Sequence, residues 1–355
     1  METSVKTNDC SCPSCGAAMK YSPENKSLLC ENCKTLKNIV FEKLLAKHKL
    51  EDLNKHSKQT KEWLNETKNL KCPNCGANVV LNKLEYSAAC PYCDSNLVSK
   101  DEGDNAIAPD GIIPFTFSDA EAAQRYVLGL KKKWFLPNKF KKAPPTDNIH
   151  GVYIPSFGYD SDTQSTYSGR LEIDHTRRDS KGNTTTYTTY KHISGNHTSL
   201  QRDVLVETSS KINQNELSKL LPFNMSEAVQ FNQGFIMGYT VEHYNETVEV
   251  CKKIAEEVMA QNIKREILSQ YHYDRVSYFN LSTQHSNQKY MYYLLPIYKC
   301  DYKYKEKTYT TLMNGQTGKV GGGYPKSGVK IFFFVLMWIL IIAGIIVITM
   351  LTNGD

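Results

Sequence analysis

Cys12-Pro13-Ser14-Cys15-Gly16-Ala17 and Cys72-Pro73-Asn74-Cys75-Gly76-Ala77 are two copies of one motif in this 355-residue chain. In each copy fourteen residues separate the opening Cys-x-x-Cys pair from a second pair, Cys30-Glu31-Asn32-Cys33 or Cys90-Pro91-Tyr92-Cys93. A Cys-x-x-Cys pair forms a tight knuckle that presents two thiolates to one ion, and two knuckles complete a tetrahedral site. The repeat therefore predicts two small β zinc ribbons, at residues 8–37 and 71–100.

The predicted metal ligands are all thiolates, so each site holds its ion with four sulfur atoms. They are Cys12, Cys15, Cys30 and Cys33 in the first ribbon, and Cys72, Cys75, Cys90 and Cys93 in the second. Because no coordination position is left for water, we expect two structural Zn²⁺ ions and no catalytic one. Thioredoxin-like redox chemistry is disfavoured, since it uses one Cys-x-x-Cys pair at a helix start.

Three further cysteines stand outside the matched pairs. Cys10 is an alternative to Cys12 as a ligand, although the repeat favours Cys12. Cys251 and Cys300 are solitary, and we expect them to be small buried residues. Gly16 and Gly76 follow the opening knuckles, where a positive φ angle turns backbone N–H groups toward sulfur.

The apolar segment 331–348 contains no charged side chain, and Thr349-Met350-Leu351 extends it. At ~1.5 Å per residue, a helix over 331–351 spans roughly 31 Å, which matches the ~30 Å hydrocarbon core of a bilayer. Lys326 and Lys330 precede this segment and no Lys or Arg follows it. The positive-inside rule then predicts a single-pass protein of the cell membrane, with its N-terminal bulk in the cytoplasm and its C-terminus outside. Metal-binding thiols fit the same reducing compartment.

The remaining chain predicts a helical spacer at 38–70 and an α+β domain at 107–325. The fold class is thus multidomain: two β zinc ribbons, an α+β middle domain and one C-terminal transmembrane helix. Within the middle domain, hydrophobic periodicity predicts helices at 119–134, with Ser118 as N-cap, and at 242–270. Alternation predicts strands at 151–159, 164–176, 184–193, 290–304 and 307–313.

Residues that could carry catalysis are sparse, and we predict that the chain is not an enzyme. The segment 315–320 is not a phosphate-binding loop, because that motif requires glycine at Met313 and a hydroxyl residue at Val320. His175, His192 and His197 lie on the predicted hairpin, near several acidic residues. A metal or acid–base site built from them stays an alternative, but solvated strand residues are the favoured interpretation.

The formal charge of +6 falls to about +2 when each zinc site contributes −2. The strongest cationic cluster lies outside the ribbons and is interleaved with aromatic residues. It consists of Lys131, Lys132, Lys133, Lys139, Lys141 and Lys142. Such a basic patch could bind nucleic acid, bind anionic lipid or simply be solvated, and the sequence does not decide among these three alternatives.

An ordered series of short motifs accompanies the ribbons. It comprises Gly111-Ile112-Ile113-Pro114-Phe115, Gly151-Val152-Tyr153-Ile154-Pro155, Leu221-Pro222-Phe223, Leu294-Leu295-Pro296-Ile297-Tyr298 and Asn314-Gly315-Gln316-Thr317-Gly318-Lys319-Val320. With the ribbons, this series resembles the bacterial TFIIB-type zinc-ribbon-containing membrane proteins, including the YdjG-like group. The resemblance implies a cytoplasmic ribbon region followed by a membrane segment. It also implies a link to envelope stress, with an SPFH (flotillin-like) protein or a phage-shock protein A homologue as partner.

The function expected from these features is a membrane-anchored cytoplasmic adaptor that recruits or positions protein partners. The alternative is a zinc-ribbon nucleic-acid-binding protein tethered to the membrane. The ribbons are poor in Arg, whereas a phosphate-binding surface needs clustered cations, so the adaptor is favoured.

Overall fold

The computed structural model describes residues 11–42, 46–51, 67–72, 74–82, 87–90, 96–98, 108–142, 149–178, 180, 182, 184–209, 211–304 and 307–352. The described chain is mostly β, where the sequence predicts an α+β middle domain. Its helices are α1 (Asp119–Lys131), α2 (Asn138–Lys142), α3 (Gln214–Leu220), α4 (Val248–Leu268) and α5 (Gly328–Thr352).

The N-terminal third contains only short strands among its described residues. They are β1 (Lys20–Ser22), β2 (Ser27–Leu29), β3 (Leu36–Asn38), β4 (His48–Lys49), β5 (Thr67–Lys71), β6 (Asn78–Asn82), β7 (Ser87–Ala89) and β8 (Asn96–Val98). Strands β1, β2 and β3 form one antiparallel sheet, and β7 pairs with β8. The described residues of both predicted ribbons therefore contain short antiparallel strands.

Parts of the segment 38–70, predicted as a helical spacer, are strands in the structure. Strand β4 pairs with Lys289 and Tyr290 of the large sheet, and β5 begins at Thr67. These long-range pairings outweigh the helical periodicity of the sequence, because tertiary context overrides intrinsic propensity. The other positions of the predicted spacer, 43–45 and 52–66, lie outside the described residues.

The large sheet is built on three long strands. Strand β10 (Ile149–Arg178) lies between β11 (Thr184–Glu207) and β14 (Arg275–Tyr304), antiparallel to both. Shorter strands join it: β9 (Gly111–Ile112), β12 (Val229–Gln230), β13 (Thr240–Glu242), β15 (Lys307–Asn314) and β16 (Val320–Gly322). The two strands predicted at 151–159 and 164–176 are one, because a bulge near Asp160 absorbs the irregularity without ending the pairing.

Two predicted helices exist with shifted bounds. Helix α1 begins after the predicted N-cap Ser118, and it ends at Lys131, three residues early. Helix α4 begins at Val248, because the Thr247 hydroxyl accepts a hydrogen bond from the Val250 N–H and caps it there. The predicted start, Glu242, lies instead in β13, opposite Val79 of β6.

The core centres on Phe115, where four of the short sequence motifs meet. Its ring stacks on Tyr239 at 4.2 Å and contacts the rings of Tyr153 and Tyr298 at 4.9 and 4.7 Å. A Cβ atom added at Gly315 would lie 2.5 Å from the Phe115 ring, so the turn carrying Gly315 has room only for glycine. Packing around Phe115 thus explains why these four motifs carry the residues they do.

Both ribbons are attached to this core. Met19, Tyr21 and Cys30 are buried in the same hydrophobic cluster as Phe115. In the second ribbon, β6 extends the large sheet by pairing with β13. The described residues of both predicted ribbons thus pack against the middle region.

Helix α5 stands apart from the core. Its segment Gly328–Thr349 has 22 residues and contains an 18-residue window with a mean hydropathy of 3.2, none of which is buried. By length and composition this helix can cross a membrane, as the sequence predicts.

Candidate metal centres

The first centre brings together all four predicted cysteines of the first ribbon. The Cys12 and Cys33 sulfur atoms lie 3.4 Å apart, and those of Cys15 and Cys30 lie 3.5 Å apart. All four sulfur atoms fall within 4.8 Å of one another. Tetrahedral Zn²⁺ with Zn–S bonds of ~2.3 Å needs S–S distances of about 3.8 Å, so the donor set fits that ion.

The backbone around each opening knuckle follows one hydrogen-bonding pattern. Gly16 N–H donates to the Cys12 carbonyl at 2.9 Å, and Gly76 N–H donates to the Cys72 carbonyl at 2.8 Å. Both glycines have the predicted positive φ, 73° and 71°. In the closing knuckle of the first ribbon, Lys34 takes this place with a φ of 62°. The repeat in sequence is thus a repeat in backbone conformation.

Electrostatics in the first centre favour a bound cation. The Thr35 hydroxyl lies 3.1 Å from the Cys33 sulfur, and hydrogen bonding from Thr35 lowers the pKa of the Cys33 thiol to about 6. The Ala17 N–H lowers the pKa of Cys15, but the adjacent Cys30 and Cys33 sulfurs outweigh it and raise that pKa to about 11. Four thiolates repel one another at these distances, and a divalent cation offsets the repulsion.

The second centre is described for three of its four predicted ligands. Cys72, Cys75 and Cys90 have their sulfur atoms within 4.8 Å of one another, and the Cys75 and Cys90 sulfurs are 3.6 Å apart. Cys93, the predicted fourth ligand, lies outside the described residues, as does Cys10, the alternative ligand of the first centre. The geometry supports metal binding at both centres.

The other candidates from the sequence do not converge on a site. Cys251 and Cys300 are buried, as predicted. His175 lies 2.7 Å from the Thr189 hydroxyl, and His197 lies 3.1 Å from the Glu266 carboxylate on α4. Among the described residues, these histidines are held by separate strand and helix partners.

The basic patch lies at the start of α5. Lys131, Lys132 and Lys139 are exposed, Lys133 and Lys141 are half-buried, and the Lys142 side chain lies outside the described set. Within this segment the Phe135 carbonyl accepts a hydrogen bond from Ser327 N–H at 2.8 Å, one residue before α5. The structure thus places the cationic cluster next to the apolar helix.

A polar surface on the long sheet has no counterpart among the sequence predictions. We call it the neutral face, since its nine exposed residues carry amide or hydroxyl side chains. They are Gln164, Thr166 and Ser168 on β10, Ser194, Asn196 and Thr198 on β11, and Asn280, Ser282 and Gln284 on β14. The period-two alternation of polar residues is the signal in the sequence, but only the strand register shows that the three rows are adjacent.

Comparisons with known proteins give one relative of nearly full length. The chain is similar to the uncharacterized protein YdjG of Bacillus subtilis (strain 168), with 28% identity over 337 residues that cover 94% of this chain and 93% of that protein. No protein-family model matches the chain, and no solved structure matches it. The molecule is a mostly β protein with two cysteine clusters suited to metal and one apolar helix.

Proposed function

We propose that this chain is a membrane-anchored adaptor that displays a protein-binding surface at the cytoplasmic side, with two structural Zn²⁺ ions bracing its fold. The observation that carries the proposal is the neutral face. Strands β10, β11 and β14 lie side by side from Gln164 to Glu172 of β10, and at ~3.3 Å per residue this stretch is about 30 Å long.

One side of this stretch is covered, which makes it rigid. Ile263, Ile267 and Leu268 of α4 pack on Leu171 and Ile193 of the sheet, in one buried cluster. The opposite side carries the neutral face and is exposed to solvent along all three strands. Hydroxyl and amide groups on a braced sheet surface offer many hydrogen bonds at little cost in ordering entropy.

The metal centres fit a bracing role in this proposal. Four thiolates per ion leave no open coordination position, and Cys12 and Cys30 are buried at 3% and 0% exposure. The partners that the resemblance suggests, an SPFH protein or a phage-shock protein A homologue, are the first candidates for the neutral face. The orientation in the membrane follows from Lys326 and Lys330 by the positive-inside rule.

Site-specific photo-crosslinking tests the adaptor function in cells that express the full chain. A photoreactive amino acid replaces Thr166, Asn196 or Ser282 on the neutral face, and matched controls carry it at the exposed positions Asn215, Ser218 or Glu257. We expect protein adducts from the neutral face, absent from the controls and lost when Asn196→Arg accompanies the probe at Thr166. Adducts only with nucleic acid, or equal labelling at all positions, would contradict the adaptor function.

A further inference from the structure

The segment 131–142 connects α1 to α2 and lies against the first turns of α5. Two backbone carbonyls of this segment hold the helix start: Ser327 N–H donates to the Phe135 carbonyl at 2.8 Å, and Lys330 Nζ donates to the Leu136 carbonyl at 2.7 Å. The Phe135 ring meets Phe334, in the second turn of α5, edge-on at 5.4 Å. The segment is thus fixed at the level where the apolar helix begins.

That level is where lipid headgroups lie if α5 spans a bilayer. The polar layer on each side of the hydrocarbon core is roughly 5–8 Å thick, so groups in contact with the first turns of the helix fall inside it. Chain segments at this depth face a phosphate-rich layer, and its net charge is negative wherever anionic phospholipids are present.

The composition of the segment matches such a layer. It contains six lysines and no acidic residue, and no Asp or Glu occurs from Ala122 through Pro145. Trp134, in the middle of the segment, is 71% exposed, and Leu128, one turn before Lys131 and Lys132 on α1, is 59% exposed. An exposed Trp among lysines is typical of membrane interfaces, where the ring enters the headgroup layer and the ammonium groups meet phosphate.

We propose that residues 131–142 form an anionic-lipid-binding surface that docks the body of the protein onto the membrane entered by α5. The proposal rests on the membrane anchor of the proposed function. In this proposal the basic patch binds the phosphate groups of lipids. The body should therefore lie closer to the surface of an anionic membrane than to that of a neutral one.

The test uses the full-length protein with Trp134 as its fluorescent reporter. Trp63→Phe and Trp338→Phe leave Trp134 as the sole tryptophan. The protein is reconstituted into vesicles of phosphatidylcholine alone or mixed with phosphatidylglycerol, each with a nitroxide on the lipid headgroup. We expect phosphatidylglycerol to increase nitroxide quenching of Trp134 several-fold and to decrease its quenching by aqueous iodide.

Matched charge variants separate a local contact from a general effect of charge. Replacing the exposed residues Lys131, Lys132 and Lys139 with Gln should abolish the effect of phosphatidylglycerol. Replacing the equally exposed Lys191, Lys253 and Lys289 with Gln changes the net charge by the same amount and should leave the effect intact. Loss of the effect in both variants, or in neither, would overturn the assignment.

Flotation distinguishes failure of the anchor from failure of the lipid contact. If wild-type protein does not float with phosphatidylcholine vesicles after an alkaline wash, the anchor and the lipid surface both fail. If it floats but Trp134 quenching is the same in the two lipid mixtures, only the lipid surface fails. A duplex oligonucleotide that alters Trp134 fluorescence where phosphatidylglycerol does not would assign the patch to nucleic acid.

Discussion

The hydroxyl group of Tyr21 donates a hydrogen bond to the carbonyl oxygen of Phe115 at 3.3 Å, and this bond joins the first ribbon to the centre of the core. Tyr21 is buried, and its ring meets Phe235 edge-on at 5.3 Å. Burial raises the pKa of Tyr21, so its hydroxyl keeps its proton and remains a donor over the physiological pH range. We therefore expect metal binding at the first centre to affect the stability of the large sheet.

Tyr21→Phe should lower the free energy of unfolding by about 1 kcal/mol, because a buried carbonyl loses its donor. Urea unfolding in detergent micelles measures this effect, and Tyr187→Phe, at a residue 49% exposed, is the matched control.

A zinc chelator should lower the unfolding midpoint of the whole β region. Unfolding of the core at an unchanged midpoint after chelation would show that the ribbon is an independent module.

Metal analysis of the purified chain should find close to two zinc ions per molecule, since each cysteine cluster offers a closed thiolate site. Cys12→Ser and Cys72→Ser should each remove about one zinc ion, because three remaining ligands hold the metal much more weakly. Cys251→Ser, at a buried cysteine far from both clusters in sequence, should leave the zinc content unchanged. Iron in place of zinc, or one zinc or fewer in folded wild-type protein, would refute the assignment.

Gly315→Ala should destabilise the fold by about 1–3 kcal/mol through overpacking. The added Cβ would lie 2.5 Å from two atoms of the Phe115 ring, which is itself fixed by Tyr153, Tyr239 and Tyr298. Gly323→Ala is the control, since its Cβ would meet only the Thr310 carbonyl oxygen at 3.7 Å. Equal unfolding midpoints for the two variants would mean that the Phe115 cluster adapts freely.

Glu207 should make stability depend on pH. The residue is 8% exposed, and burial, which disfavours the charged form, raises the pKa of its carboxyl group to about 9. The neighbouring Glu242 contributes in the same direction. Because the folded state binds this proton more tightly than the unfolded state, the stabilisation is complete below pH ~4.5 and is lost as pH rises toward about 9.

Glu207→Gln removes this titration, and unfolding measured from pH 5 to pH 9 should therefore show a flatter profile than wild type. The variant should gain stability relative to wild type as pH rises, with the largest gain at the alkaline end. Glu257→Gln, at an exposed position on α4, should keep the wild-type profile. A Glu207→Gln profile parallel to that of wild type would contradict the raised pKa.

Local features of this molecule could be predicted from its sequence, and features set by distant pairing could not. The Cys12 and Cys72 knuckles, the positive φ of Gly16 and Gly76, and the apolar helix depend on residues close together in the chain. The continuity of β10 through the bulge near Asp160 depends on two partner strands that lie far away in sequence.

The candidate sites divide in the same way. Spacing alone predicts which cysteines meet. Each Cys-x-x-Cys pair supplies two thiolates, and two neighbouring pairs complete the four ligands of one ion. The neutral face needs the register of three strands, since Thr166 lies opposite both Asn196 and Ser282. Likewise, six lysines in sequence do not reveal their partner, whereas the bond from Ser327 to Phe135 places them beside the apolar helix.

Five residues connect β16 to α5, and one of them, Ser327, is hydrogen-bonded to the Phe135 carbonyl of the body. The connection is therefore short and is fixed to the body at this point. A long flexible linker dilutes a tethered surface over the volume that it can sweep, and effective concentration falls as that volume grows. Here the connection has only five residues, so if α5 spans a bilayer the body stays close to its surface. On the proposed function, a molecule bound by the neutral face would then be confined to the layer next to the membrane, as a component of a two-dimensional assembly.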